Sequence, residues 1–343
     1  MRPPSTAVLL VLVSVIVVAC GSGRSPAPST SHAKARPPDR HRAAEPAVSP
    51  VRHAQIAGRE VQVGNIPEGV AVDPASGVVA VGTRHPGEIV LLSAHTGRIL
   101  RRVRFPGEAR HLAFTAPGGA LLIPLEPVDR LFVLTPSSRR LSSIRVGHHP
   151  HAAESAAGRF FVSDELGRSV SVIAGDHVLA RIGGFLQPGG LAAVGDDVAV
   201  VDVGADTLTL LDASSLLRVG TVNAGQGPTH AVAGSRGLFY VVDTRGDAIE
   251  TFATAPQLRR RPGLRLPGTP YGVAIDRGRA RLWVTLTSTD QVAEIGLAGR
   301  KPRLLKLYAT GRQPNTVAVN PVTGTVFVAD AGDDALQIIE PPR

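Results

Sequence analysis

Short apolar runs rich in Val, Leu and Ile recur along the chain, separated by turns rich in Gly, Pro, Asp and Ser. Runs this brief, β-branched and heavily punctuated predict strands rather than helices. One phrase organises them: a turn, often with Pro, then two loop residues and a small apolar strand. Its best copies are Pro67-Glu68-Gly69-Val70-Ala71-Val72, Pro270-Tyr271-Gly272-Val273-Ala274-Ile275 and Pro314-Asn315-Thr316-Val317-Ala318-Val319. Weaker copies begin at Pro150, Pro188 and Pro228, and one without Pro begins at Ala109. Successive starts lie 42, 41, 38, 40, 42 and 44 residues apart. Seven copies at that period indicate a repeat architecture.

The first repeat predicts four strands, at 70–72, 78–81, 89–92 and 99–105. The second opens at 112–114 and the third at 152–154, where the strand signal is poor. In the fifth, Arg259 to Arg261 read as a loop before the last strand. The seventh offers only three strands, at 317–319, 326–329 and 336–339, while a spare candidate precedes the first repeat at 60–63. An open sheet edge invites association, and closing the ring removes it. The pattern therefore predicts an all-β fold over 56–343. It is a seven-bladed β-propeller with four-stranded antiparallel blades, closed by an N-terminal strand in the last blade. A β-sandwich would not need seven similar units, and helical repeats do not suit runs so short and Gly-interrupted.

Composition adds constraints. Aromatics are 4% of 343 residues, against 37 Gly and 28 Pro, so the core must be built from Val, Leu, Ile and Ala. The net charge is +9, and residues 21–55 contribute four of it, with six Arg/Lys against Asp39 and Glu45. No base-reading or backbone-reading run accompanies this charge. It suggests proximity to an acidic surface and no nucleic-acid partner.

The N-terminus reads as a processing segment. Arg2 precedes an apolar stretch from Ala7 to Ala19, too short for a spanning helix. It ends in Val17-Val18-Ala19-Cys20-Gly21, which resembles the bacterial lipoprotein signal. The resemblance implies a signal peptide at 1–19 and lipidation of Cys20, the only cysteine. The protein would then be exported and lipid-anchored to the cell membrane, facing the extracytoplasmic side. An ordinary secretory signal or an uncleaved anchor is the alternative. Residues 20–55, rich in Pro, Ala, Ser, Arg and His, lack apolar periodicity and read as a disordered tether.

Three segments carry a second resemblance: Phe161-Val162-Ser163-Asp164, Tyr240-Val241-Val242-Asp243 and Val326-Phe327-Val328-Ala329-Asp330. They resemble the second-strand signature of YVTN-type β-propeller repeats, and Ser169-Val170-Ser171-Val172-Ile173 resembles the strand that follows. The likeness implies a propeller. Because the family and its relatives include binding proteins, lactonases and lyases, it leaves the activity open. The pattern departs at Leu286, and at Glu126 after Ile123-Pro124-Leu125. The recurring Asp164, Asp202, Asp243 and Asp330 read as turn residues accepting backbone N–H bonds.

Loops entering the first strands of a propeller converge on one face. Aligned phrases put Glu68, Arg110, His151, Gly189, Thr229, Tyr271 and Asn315 at one position, and His111 and His230 at the next. Because this ring changes chemistry from blade to blade, Glu68, Arg110, His111, His151, Thr229, His230, Tyr271 and Asn315 form the candidate pocket. Arg110 suits a carboxylate or phosphate, and the histidines suit proton transfer or a metal. His148, His149 and His151 do not form a compact zinc motif, but His111 and His230 could complete a site across the channel. No cofactor is required by any motif, and a divalent metal is the one alternative. The expected function is binding of a small molecule, an envelope polymer or a protein partner. A lactonase-like or lyase-like enzyme acting on a lactone or cyclic ester is the alternative, with His151 or His230 as acid/base.

Overall fold

The computed structural model describes residues 43–50 and 55–341, all within one unit spanning Asp39–Arg343. The apolar leader, Cys20 and the tether up to residue 42 lie outside the described residues, as do 51–54, 342 and 343. No helix among the described residues is long and apolar enough to cross a membrane.

Seven four-stranded antiparallel sheets are arranged as blades of a ring. Blade 1 runs from channel to rim through Asn65–Asp73, Val78–His85, Glu88–Ser93 and Ile99–Arg104. Blades 2 to 6 repeat this up-and-down order. In blade 7, Pro314–Val319, Val326–Asp330 and Ala335–Ile339 are joined by Arg59–Gln62 from the other end of the chain. Arg59 lies opposite Ile338 and Gln62 opposite Ala335. The fold is a seven-bladed β-propeller closed by its N-terminal strand.

Burial explains the sequence pattern. Second strands such as Val326–Asp330 are covered on both faces and read as continuous apolar runs. Rim strands such as Ile99–Arg104 alternate half-buried and exposed residues, because only one face meets a neighbour. Seven apolar clusters fill the seams, each shared by adjacent blades. The cluster between blades 1 and 7 joins Val79, Val81 and Val90 to Phe327, Leu336 and Ile338, with Val63 sealed among them.

Two strand expectations are corrected. The third repeat has a full inner strand, Pro150–Ala156, whereas the second has only Ala113–Phe114. The third strand is rich in Ala, a poor strand former, yet small side chains fit where inner strands crowd the channel. Arg259 to Arg261 lie inside the strand Arg259–Arg265. Their backbones pair with Ala253, Phe252 and Thr251, while the rim position leaves the long side chains to solvent.

The recurring aspartates hold the loops that enter the blades. Asp243 accepts backbone N–H bonds from Gln226, Gly227 and Gly246, and Asp202 accepts from Leu186 and Gln187. Gly246 is required there, since a Cβ would overlap the Asp243 carboxyl group.

Candidate functional site at the channel mouth

All eight candidate pocket residues lie at one end of the channel. Glu68, His151, Thr229, His230, Tyr271 and Asn315 are buried, and Arg110 and His111 are half-buried. The structure divides them into two neighbouring groups, with Thr229 lining the small space between them and its hydroxyl paired with that of Thr244 at 2.8 Å.

The first group surrounds Arg110. Its Nε lies 3.3 Å from Glu68 Oε2, and its Nη2 donates to the Tyr271 hydroxyl at 3.3 Å. Glu68 also accepts from Arg84 at 2.7 Å and from the Asn315 amide at 3.3 Å. Glu68 is therefore held between two guanidinium groups. Burial pushes the Tyr271 phenol up, so it stays neutral and available as a hydrogen-bonding group.

The second group is three imidazoles from three blades. One ring nitrogen from each of His111, His151 and His230 lies within 4.8 Å of the other two. His230 Nδ1 faces the Tyr271 carbonyl at 3.0 Å, and a carbonyl only accepts, so that nitrogen carries the proton. Its Nε2 lone pair then points toward His111 Nε2, 3.3 Å away. His151 Nδ1 faces Glu126 Oε1 at 2.9 Å, which fixes the opposite nitrogen as the free one. Burial, then the charges of His151 and Arg110, hold His230 down to about 3, with the Tyr271 carbonyl only partly opposing this. Burial and the same neighbours push His111 well below the ordinary histidine range. His111 and His230 are thus neutral at pH 7, and His230 presents its Nε2 lone pair to the space between the rings.

The three nearby histidines of the third repeat go to different partners. His148 is exposed and meets Asp129 at 3.0 Å. His149 lies between Glu165, at 3.2 Å, and Glu126, at 3.5 Å. Its hydrogen bond to Glu165 outweighs burial and raises its pKa, with Glu126 adding to the effect. Burial opposes ionisation of Glu165, but His149, His151 and Gln187 draw it down to about 2. Glu126, His149 and Glu165 also bring three donor atoms within 4.8 Å. Here, however, the two carboxylates already favour the charged form of His149.

Glu126 and Glu165 were not among the expected pocket residues. The strand registers reveal the signal. Leu125 lies opposite Arg130 as Asp164 lies opposite Ser169. Leu125, not Glu126, therefore occupies the recurring Asp position, and Glu126 is equivalent to Glu165, one residue further. The same position holds Arg84, Val203, Thr244, Thr287 and Ala331 in the other blades. A second variable ring thus surrounds the first, and its charged members all come from blades 1 to 3. Beneath the imidazoles the channel opens into a cavity of about 140 Å³, bordered by Glu154 and small inner-strand residues.

No family model matches the chain, and no curated protein matches it. Solved structures share its fold. The hydrazine synthase of Kuenenia stuttgartiensis superimposes with a TM-score of 0.69 at 14% identity, covering 84% of this chain and 99% of that one. An inactive histidine variant of virginiamycin B lyase from Staphylococcus aureus, with quinupristin, gives 0.69 at 13% identity, covering 84% and 100%. The Cps50 (Swd1) β-propeller domain of Myceliophteria thermophila gives 0.70 at 12%, covering 84% and 99%. At such identities the likeness is one of fold.

Proposed function

We propose that this is a lipid-anchored extracytoplasmic propeller of the YVTN-type repeat family. Its channel mouth binds a small ligand beside a divalent transition-metal ion held by His111, His151 and His230. The observation that carries the metal reading is the convergence of three imidazole nitrogens, two of them from buried residues and one from a half-buried residue. Two of those rings are oriented by an acceptor on their other nitrogen. Three imidazole nitrogens suit Zn²⁺ and leave a coordination position for a ligand. Arg110 and Tyr271 border that position and would orient an anionic or carbonyl-bearing group.

Calorimetric titration of the chelator-treated protein with Zn²⁺ tests this. One ion should bind per chain, and His230→Gln or His111→Gln should weaken it by about 100-fold or more. An absence of uptake, or affinity in both variants unchanged from the wild type, would overturn the metal site.

A lyase-like or lactonase-like activity is the second reading, favoured by the shared fold with virginiamycin B lyase. His151, held by Glu126 through Nδ1, would take the proton, since His230 accepts one too weakly. Product analysis on cyclic esters decides it: turnover lost in His151→Gln would support it, and its absence would leave binding.

Anchoring rests on the sequence around Cys20. Cys20→Ser should abolish incorporation of a fatty-acid probe and release or misprocess the protein. Equal labelling of both forms would count against the anchor.

A further inference from the structure

Residues 43–50, part of the segment expected to be a tether, lie across the channel mouth. Ala44 and Ser49 are buried there. The Ala47 amide donates to Thr287 Oγ1 at 2.9 Å, and the Gln313 side-chain amide donates to the Ala47 carbonyl at 2.7 Å. The same Gln313 side chain accepts from the Ser49 amide at 3.0 Å, and the Ser49 hydroxyl meets Asp290. These contacts fix an extended backbone and leave Val48 turned outward, 90% exposed. Ala43, Ala44 and Glu45 then close over Arg110, His151 and Tyr271, leaving only about 20 Å³ between them.

Glu45 is the one charged side chain in this strap. Its Oε2 lies 3.7 Å from Arg110 Nη2, and its side chain is 56% exposed. A long, half-exposed ion pair of this kind contributes little and is readily exchanged. Arg110 already meets Glu68 through Nε on its inner side, so Glu45 occupies the guanidinium edge that faces the mouth. We propose that residues 43–50 are a built-in occupant of this mouth, and that the external ligand replacing them places a carboxylate on Arg110 where Glu45 now sits. The strap is then a competitor carried on the same chain. This deepens the ligand-binding reading and rests on it, but it needs no metal ion.

The test uses the full chain after chelation, so that its outcome is separate from that of the metal site. The probes are N-acetyl-L-glutamic acid α-amide, which reproduces the Glu45 side chain, and N-acetyl-L-glutamine α-amide, its neutral counterpart. If the strap fills the mouth about nine-tenths of the time, it masks affinity about tenfold. An exposed pair of this kind accounts for only part of that mask, so Glu45→Gln should bind the glutamate probe about two- to fivefold more tightly than the wild type, with little response to the glutamine probe. Gln313→Ala, which loosens the strap at another point, should shift affinity in the same direction. Adding Arg110→Gln to Glu45→Gln should abolish the gain. In the wild type, saturating glutamate probe should accelerate hydrogen exchange at the Ala47 and Ser49 amides. Equal affinity in wild type and Glu45→Gln, equal binding of both probes, or unchanged exchange at those amides would overturn the proposal.

Discussion

Deletion of residues 56–64 is expected to abolish cooperative unfolding of the propeller and drive the protein into higher-order species. The segment is short, but its contacts are not peripheral. Arg59–Gln62 pairs along its whole length with Ala335–Ile339. Val63 is fully buried in the seam between blades 1 and 7, and the Val63 amide donates to the Asp334 carbonyl. The Ala57 carbonyl accepts from Gln337, a side chain sealed from solvent. Loss of Val63 alone removes about 1.5–3 kcal/mol of burial. An underused buried amide and a bared sheet edge add to this. The total approaches the 5–15 kcal/mol by which domains are stable at all. Thermal unfolding with size-exclusion chromatography measures it, and an unchanged midpoint with a monomeric profile would refute the closure. Val63→Ala should reproduce a fraction of the effect without exposing the edge.

Acidification should cost the chelated protein the stability held by two neutral imidazoles, offset in part by Glu154, which burial pushes up to about 7 and which takes up its proton in the same window. His230 resists protonation in the fold down to about 3, and His111 is shifted in the same direction, whereas both take up protons near 6.5 once unfolded. Below 6.5 the unfolded chain therefore binds more protons than the folded one, and stability falls with pH. Between pH 6.5 and 4.5 the loss is about 2 kcal/mol for His230, and His111 adds to it in the same direction. For a domain this size His230 alone should lower the midpoint by about 5 °C. Carboxylates with depressed values, such as Glu165 at about 2, contribute only as pH falls below their unfolded value of 4.5. The raised value of His149 acts oppositely: its contribution is present below 6.5 and fades as pH rises through its folded value. His230→Gln should reduce the slope between pH 6.5 and 4.5 in midpoint measurements, and an unaltered slope would contradict the assignment.

The blades were legible because each is assembled from neighbours in sequence, so its turns and apolar runs repeat locally. The inner loop ring was legible for the same reason, since the phrase that starts each blade also delivers one side chain to the mouth. What escaped depends on the ring as a solid object. His111 and His230 are 119 residues apart, and only the curvature of the ring brings their Nε2 atoms to 3.3 Å. Glu126 and Glu165 share a position that emerges only when strand registers replace motif matching. The strap at 43–50 has no periodicity because it is held by backbone groups of Ala47 and Ser49 and by the lone side chains of Glu45 and Ser49, which leave no repeating pattern.

The completion of blade 7 from both chain ends also sets an order of events in folding. Hairpins within the other blades join residues a few tens of positions apart, whereas Arg59 must find Ile338. Closing so long a loop costs more conformational entropy and rewards nothing until the rest of the ring has curved into place. As the chain is synthesised, the segment around Val61 and Val63 emerges well before its partner strand. For that interval it is an unpaired apolar strand, and the vulnerable species on the pathway is the nearly finished ring with its latch still open.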